Sequence, residues 1–536
     1  MAHSFLKKNL LFLAALSALP LVGCASASPA ENSLTIPLTS DKYGTFYQIF
    51  PYSFADSNGD GIGDLNGITA HLDYLQELGV TRVWLTPIFA SPTYHKYDVK
   101  DYYTIDPSFG DLSDFQAMIA AGKSHGISFI LDMTFNHCSL QNPWFLQAVE
   151  DCANENTAAD SMADEFAISL DSSQVKNTKA SLLSQDGVRV YYECNFDTAM
   201  PEFNLASTKT IAKQQAIMAY WLNEGAAGFR FDGVYYYFYG DDPKSLAYCQ
   251  TLYREAHSLK DDVYLVGEYW NGGTASLNDM AQSQMTFFDF PNSQAGVGGA
   301  LYSIRTGLAK SFSANVASNE AAFLKKSQGK ALPSYFISNH DMDRWGSFAS
   351  SSDKGLRQAK CAAAATLLTP GTPFMYYGEE IGLKGNGNDP NRRLPMQWLS
   401  NKSSDTARCA YPTGAYFAES DQVSWGASEK IKEAGSLTAF YAQVLALRKA
   451  HPILASGIYN SLSKADSPVS LLEISLAGQT AYLATNFDSS TATLNVPSGL
   501  SLAASLDVGG VSSLSGSLLS LTGYSTVFLQ KTSNNA

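Results

Sequence analysis

Between residues 43 and 450 the chain repeats one pattern: a short β-branched or aromatic run, then a longer stretch of helical periodicity. Eight such runs stand at 45–50, 81–87, 127–133, 227–232, 263–268, 285–290, 334–338 and 372–377. Runs of this kind, apolar throughout and separated by helices, are strands of a parallel sheet covered on both faces. Eight of them close a barrel, so the fold class expected is α/β, a (β/α)8 TIM barrel. Ile68, Leu72, Leu75 and Leu78 share one helical face and predict a first barrel helix over 68–78.

Two departures from the repeat divide the chain further. The third and fourth runs are separated by about ninety residues, far more than a strand–helix connection needs, so 138–200 is expected as an inserted subdomain after strand 3. The barrel then comprises 41–137 and 201–450. After LTAFYAQVLALRKAHP the texture becomes Ser/Thr/Leu alternation with turn residues, which predicts an antiparallel β sandwich over 451–536.

The start of the chain reads as a targeting signal. Lys7 and Lys8 precede an apolar run from Leu10 to Leu19, and small residues follow. Leu21-Val22-Gly23-Cys24 resembles a bacterial lipobox, whose cysteine becomes the lipidated first residue; a plain secretory signal is the alternative. Residues 1–23 are thus expected to be removed and 24–40 to form a tether, with the protein extracytoplasmic and either lipid-anchored to a bacterial membrane or secreted. A monomer is expected, touching the membrane through lipid alone. The formal charge of −14, which becomes −16 without Lys7 and Lys8, argues against nucleic acid as a partner. The remaining cysteines, at 138, 152, 194, 249, 361 and 409, match no zinc spacing, and the sequence does not pair them.

The predicted strands end in ionisable groups: Asp132, Asn136 and His137 after the third, Arg230 and Asp232 at the fourth, Glu268 at the fifth, and Asn339, His340 and Asp341 after the seventh. A single strand-end Asp is most simply a helix cap. Several strands delivering four carboxylates, an arginine and two histidines to one barrel mouth make a reaction centre, because the mouth at the C-terminal strand ends is where barrel enzymes work. The set suits glycosidic cleavage: one carboxylate attacks the anomeric carbon and a second acid protonates the leaving oxygen. Arg230, two residues before Asp232, would keep that group ionised, and the apolar run before Glu268 would raise its pKa toward that of a general acid.

These motifs, DMTFNH (132–137), GFRFD (228–232), GEYW (267–270) and NHD (339–341), resemble in order and spacing those of the α-amylase family, glycoside hydrolase family 13. YHKYDVKDYYTIDPSFG (94–110), MPEFN (200–204) and LPMQW (394–398) are similar too. The resemblance implies a retaining hydrolase of α-1,4-glucans such as starch, glycogen or maltodextrins. Asp232 would be the nucleophile, Glu268 the acid/base and Asp341 the transition-state stabiliser. His137 and His340 would bind the reacting sugar, Tyr97 would stack on it, and Arg230 would orient Asp232. Asp98 and Arg393 resemble a pair that grips a chain end in exo-acting relatives. The resemblance also implies structural calcium in the loop DSNGDGIGD, held by Asp56, Asn58, Asp60, the Ile62 carbonyl and Asp64; magnesium is the alternative. An EF-hand is excluded, since the twelfth position from Asp56 is Gly67 rather than glutamate.

One departure concerns the residues after the nucleophile, where the family places Lys-His and this chain has Tyr235-Tyr236. They either stack on an acceptor sugar or belong to the core. A 4-α-glucanotransferase, an exo-acting α-glucosidase and a non-catalytic glucan-binding surface protein are the alternative functions, the last disfavoured by the presence of all three acids.

Overall fold

The computed structural model describes residues 44–293, 299–349 and 352–531, which belong to one compact unit. The predicted signal, Cys24 and tether lie outside the described residues. Six parallel strands follow one another around the ring: Phe46–Ile49, Arg82–Leu85, Ser128–Met133, Gly228–Phe231, Tyr264–Gly267 and Thr286–Phe287. The strand Phe374–Tyr376 pairs back onto the first, giving a seven-stranded parallel sheet. The run predicted at 334–338 forms no continuous ladder. It closes the ring through two isolated parallel bridges, Phe288 to Ser334 and Phe336 to Phe374. The fold is thus the (β/α)8 barrel.

Inward-facing side chains fill the barrel. Phe46, Trp84, Ile130, Val266, Phe336 and Phe374 form a dry interior layer, as a closed eight-stranded barrel requires. Trp84 tops that layer, and its indole Nε1 reaches Asp132 at 3.1 Å, so the barrel core is the floor of the mouth above it.

The helix predicted over 68–78 is two helices, Leu65–Ala70 and Leu72–Leu78. His71 interrupts them with φ −111° and ψ 15°; its Nδ1 lies 2.8 Å from the Gly67 carbonyl and its ring stacks on Trp398 at 3.8 Å. Asp64 caps the first helix, its carboxylate accepting the Gly67 N–H. A β-carbon at Gly67 would fall 2.0 Å from the Ala55 carbonyl oxygen, so only glycine lets these backbones touch.

The inserted segment carries the helix Pro143–Ala153 and a three-stranded antiparallel sheet of Ile168–Ser169, Arg189–Glu193 and Lys179–Leu183. The C-terminal region holds a five-stranded and a three-stranded antiparallel sheet. Alternate residues of both, among them Leu471, Tyr482, Leu519 and Val527, share one core. The six described cysteines are unpaired. Among the described residues no helix is long and apolar enough to cross a membrane.

Candidate active site

Register, more than sequence proximity, assembles the acids. In the parallel ladder Asp132 of the third strand lies directly opposite Arg230 of the fourth. The backbone ladder runs on past the strand ends, with Asp232 N bonded to Met133 O and Glu268 N to Phe231 O, so Asp232 and Glu268 emerge side by side. Arg230, buried to 1 % exposure, serves all three: Nη1 donates to Asp132 Oδ1 at 2.6 Å and Asp232 Oδ1 at 2.7 Å, and Nη2 donates to Glu268 Oε2 at 2.6 Å.

One guanidinium cannot neutralise three buried carboxylates. Burial raises Glu268 to about 7, with Arg230 opposing and Asp232 and Asp341 adding to the rise. Burial likewise raises Asp232 to about 6, against the pull of Arg230. Asp132 rises to about 6 by the same balance. Arg230 itself stays charged, because the attraction of Asp132 and Glu268 outweighs the burial that would lower it. At neutral pH the arrangement therefore keeps a proton available on Glu268 while Asp232 is mostly ionised, a division between acid and nucleophile.

Glu268 is held through one oxygen. Its Oε2 also accepts the Gly233 N–H at 3.0 Å, so the other oxygen is the one placed to carry a transferable proton. Gly233 makes this possible with φ +57°, and a β-carbon there would lie 2.7 Å from Phe196 Cζ.

Asp341 sits differently. Burial would raise its pKa, but His340, Arg393 and Arg230 outweigh burial and hold it well below the usual carboxylate range. His340 Nε2 is 3.0 Å from Asp341 Oδ2, and Arg393 Nη2 donates to Asp341 Oδ1 at 2.7 Å. Burial lowers the pKa of His340 itself, and the amide Nε2 of Gln48 approaches its Nδ1 at 2.7 Å, which leaves the ring proton on Nε2, 2.6 Å from the Tyr97 hydroxyl and 3.0 Å from Asp341. We assign the Asp341 anion chiefly to Arg393, because His340 is neutral at pH 7. Tyr97 joins the two halves of the site: its hydroxyl donates to Asp132 Oδ2 at 2.9 Å, and its ring stacks on His340 at 5.3 Å between centroids.

These groups line a cavity of about 410 Å3. Tyr97, His137, Asp232, Glu268, Asp341 and Arg393 all face it. Burial lowers His137 to about 3, so its ring is neutral, and neither ring nitrogen has a protein partner of good geometry. Arg230, Asp132 and His340 lie just beneath. Tyr235 and Tyr236, left open between core and acceptor platform, both line the cavity.

Asp98 is the exception among the expected contacts. It is 1 % exposed, does not line the cavity, and accepts hydrogen bonds from Ser91 Oγ at 2.7 Å and Thr93 Oγ1. Arg393 lines the cavity and turns to Asp341, to the His340 carbonyl and to Asp389, so of the two residues expected to grip a chain end only Arg393 reaches the cavity. Wall residues without a role in the sequence reading include Phe196, Trp270, Asn271, Asp389 and Arg392. Trp270 closes a quoted motif and carried a signal; Phe196 comes from a loop and Asp389 and Arg392 from the short helix Asp389–Arg392, and these carried none.

In the loop 56–64, Asp56 accepts the N–H groups of Asn58, Gly59 and Gly61, Asp60 accepts that of Ile62, and Asp64 accepts those of Ser57 and Gly67. The oxygen-only donor set has the chemistry a hard cation takes; Asp56 Oδ1 and Asp64 Oδ2 each already accept two hydrogen bonds, while Asp56 Oδ2, Asp60 Oδ1 and Asp64 Oδ1 accept one and keep a lone pair. Among the described residues, however, no three His, Cys, Asp or Glu side chains are gathered as a metal-binding group.

The comparisons with known proteins agree with this geometry. The family model for the alpha amylase catalytic domain matches residues 48–457. Alpha-amylase 3 of Dictyoglomus thermophilum is 33% identical over 364 residues, 68% of this chain and 69% of that protein. Oligo-1,6-glucosidase of Parageobacillus thermoglucosidasius is 27% identical over 85% of this chain and 92% of its own. Among solved structures, Amy13B of Eubacterium rectale superposes with a TM-score of 0.84 at 30% identity, over 94% of this chain and 98% of that one. With the barrel, the ordered motifs and the shared acids on one arginine, the chain belongs to the α-amylase family, glycoside hydrolase family 13, and is a glycosidase.

Proposed function

We propose that the protein is a retaining hydrolase of α-1,4-glucans, acting on starch, glycogen or the maltodextrins derived from them. The observation that carries this reading is the single guanidinium of Arg230 holding Asp232 and Glu268 side by side with Glu268 raised to about 7. Asp232 attacks the anomeric carbon while Glu268 gives its proton to the leaving glycosidic oxygen. The resulting glycosyl ester on Asp232 is then opened by water, which loses its proton to Glu268. Asp341, ionised and braced by Arg393, accepts hydrogen bonds from ring hydroxyls as positive charge builds at the anomeric centre. His137, neutral and unpartnered, supplies a ring nitrogen to the same sugar.

The relatives include both an α-amylase and an oligo-1,6-glucosidase, so cutting inside a chain and trimming its end both lie within the family. A second reading, transfer to an acceptor sugar, is favoured by Tyr235 and Tyr236 in the cavity wall. A timed product profile from maltoheptaose separates these: only shorter products support hydrolysis, whereas products longer than the substrate would replace it with transfer. An Asp232→Asn variant that digests glucan as fast as the parent would overturn the mechanism.

Two further proposals attach to this reading. The loop 56–64 would hold Ca2+ as a structural ion through Asp56, Asn58, Asp60, the Ile62 carbonyl and Asp64, and chelation should then lower the thermal midpoint in the parent but not in Asp60→Ala. Cys24 would carry a lipid anchor on an extracytoplasmic protein; a Cys24→Ser variant expressed in a bacterium should then lose incorporation of labelled palmitate.

A further inference from the structure

An asparagine followed by glycine is prone to lose its side-chain amide, because no β-carbon on the glycine hinders its nitrogen from reaching the asparagine Cγ. The chain has four such pairs, at 58–59, 66–67, 271–272 and 386–387. The reaction begins when the glycine amide gives up its proton. A hydrogen bond from that N–H to a carboxylate opposes this step twice: the bond retains the proton, and the neighbouring anion disfavours a second negative charge.

Three of the four pairs are opposed in this way. The Gly59 N–H donates to Asp56 Oδ1 at 2.7 Å, the Gly67 N–H to Asp64 Oδ1 at 2.6 Å, and the Gly387 N–H to Asp343 Oδ1 at 3.1 Å. The Gly272 N–H, in contrast, has no acceptor among the described residues. It belongs to the connection between the strand Tyr264–Gly267 and the helix Thr274–Met280, outside any ladder. Asn271 is exposed, and its one hydrogen bond runs from Nδ2, the atom the reaction expels, to the Tyr236 hydroxyl at 3.2 Å. Replacing Gly272 is no remedy. A β-carbon there would fall 1.9 Å from Cε1 of the buried Tyr269, so the packing demands glycine and with it the reactive pair.

We propose that Asn271 deamidates spontaneously in the folded protein, and that the product is a carboxylate in the wall of the catalytic cavity. The Gly272 nitrogen, its proton lost to base, bonds to Asn271 Cγ; the Cγ–Nδ2 bond breaks and ammonia leaves, taking a proton from water. Water then opens the five-membered imide at one carbonyl or the other, which gives an aspartate or an isoaspartate at position 271. Either brings a negative charge to a cavity already lined by Asp232, Glu268 and Asp341. With Glu268 as the acid, as in the hydrolase reading above, a further anion tightens its hold on the proton and moves the alkaline limit of activity upward. The isoaspartyl form also adds one carbon to the main chain three residues after Glu268, which displaces the cavity wall and lowers turnover.

The test is mass spectrometry of peptides from protein held at pH 8 for several days and digested under acid conditions. Asn271 should gain one mass unit at least about tenfold faster than Asn58, Asn66 or Asn386, as one retained hydrogen bond to a charged group implies. In urea, where those bonds are gone, the four should convert at similar rates. An Asn271 that stays unchanged in the folded protein while converting in urea, or another pair that keeps pace with it, overturns the proposal. The ratio of kcat/KM at pH 8 to that at pH 6.5 should be about twofold higher in Asn271→Asp than in the fresh parent, and an unchanged ratio overturns the electrostatic consequence. The aged parent should lose turnover as isoaspartate accumulates, whereas aged Asn271→Gln, whose longer side chain closes the ring far more slowly, should keep its own starting activity. Equal losses in the two overturn the link between position 271 and ageing. If no glucan is cleaved at all, the hydrolase reading fails, while the mass readout still decides the deamidation.

Discussion

Raising the pH should switch the enzyme off by stripping the proton from Glu268. The productive form needs Asp232 ionised and Glu268 protonated. Asp232 is raised to about 6 and Glu268 to about 7. Activity is therefore lost as pH falls through about 6, where the nucleophile takes up a proton, and as pH rises through about 7, where the acid loses its own. Treating the two as independent titrations, roughly 60% of the protein is in the productive form at pH 6.5 and roughly 9% at pH 8. The value of kcat/KM for maltoheptaose should fall about sevenfold between those two points. Measured from pH 4 to 9 in one buffer series, the profile should be a narrow bell. With Glu268→Gln the alkaline limb should vanish and the residual rate on glucan should drop by about 10²-fold or more, since the leaving oxygen has lost its proton donor. A glycosyl fluoride, whose leaving group needs no proton, should lose far less. A rate that holds level to pH 9, or an equal loss on both substrates in Glu268→Gln, would refute the assignment of acid and nucleophile.

The same burial has a price in stability. A carboxyl whose folded pKa is raised binds protons more tightly folded than unfolded, so its destabilising effect is absent below the ordinary carboxylate range and grows as pH rises to about 7. Glu268→Gln should therefore raise stability at pH 8 by about 3 kcal/mol and leave it nearly unchanged at pH 4, as read by urea melts at both pH values. Gly233→Ala should cut kcat about tenfold with little change in KM for a short substrate. Its β-carbon would press Phe196 at 2.7 Å, in a left-handed backbone that alanine resists, and would disturb the N–H that holds Glu268.

The acids were legible in the sequence because barrel geometry converts strand ends into neighbours. Once 128–133, 228–231 and 264–267 are read as adjacent parallel strands, Asp132, Asp232 and Glu268 have nowhere to go but one mouth, and Arg230 falls opposite Asp132 by register. Hydrophobic runs likewise revealed the ring, although the segment 334–338 closes it by two bridges only. What periodicity does not encode is which partner a polar side chain selects. Asp98 resembles a chain-end grip, yet it lies behind the cavity wall with the hydroxyls of Ser91 and Thr93 on one of its oxygens, and Arg393 is drawn to Asp341. His71 splits a helix whose apolar face reads as continuous, because its ring prefers Trp398, more than three hundred residues away in sequence. Phe196 reaches the cavity from a loop, and Asp389 and Arg392 from the one-turn helix Asp389–Arg392, too short for any repeating pattern to mark them. Gln48, inside the first barrel run, sets the tautomer of His340 through a contact across the barrel.

A retaining mechanism requires Asp232 to form a covalent bond to sugar. The direct measurement is mass spectrometry of peptides from protein quenched after exposure to a 5-fluoro glucosyl fluoride, whose second fluorine slows release of the glycosyl enzyme. One added sugar mass should appear on the peptide carrying Asp232, and none in Asp232→Asn. A stable adduct on any other carboxylate, or turnover with inversion at the anomeric carbon and no adduct, would contradict it.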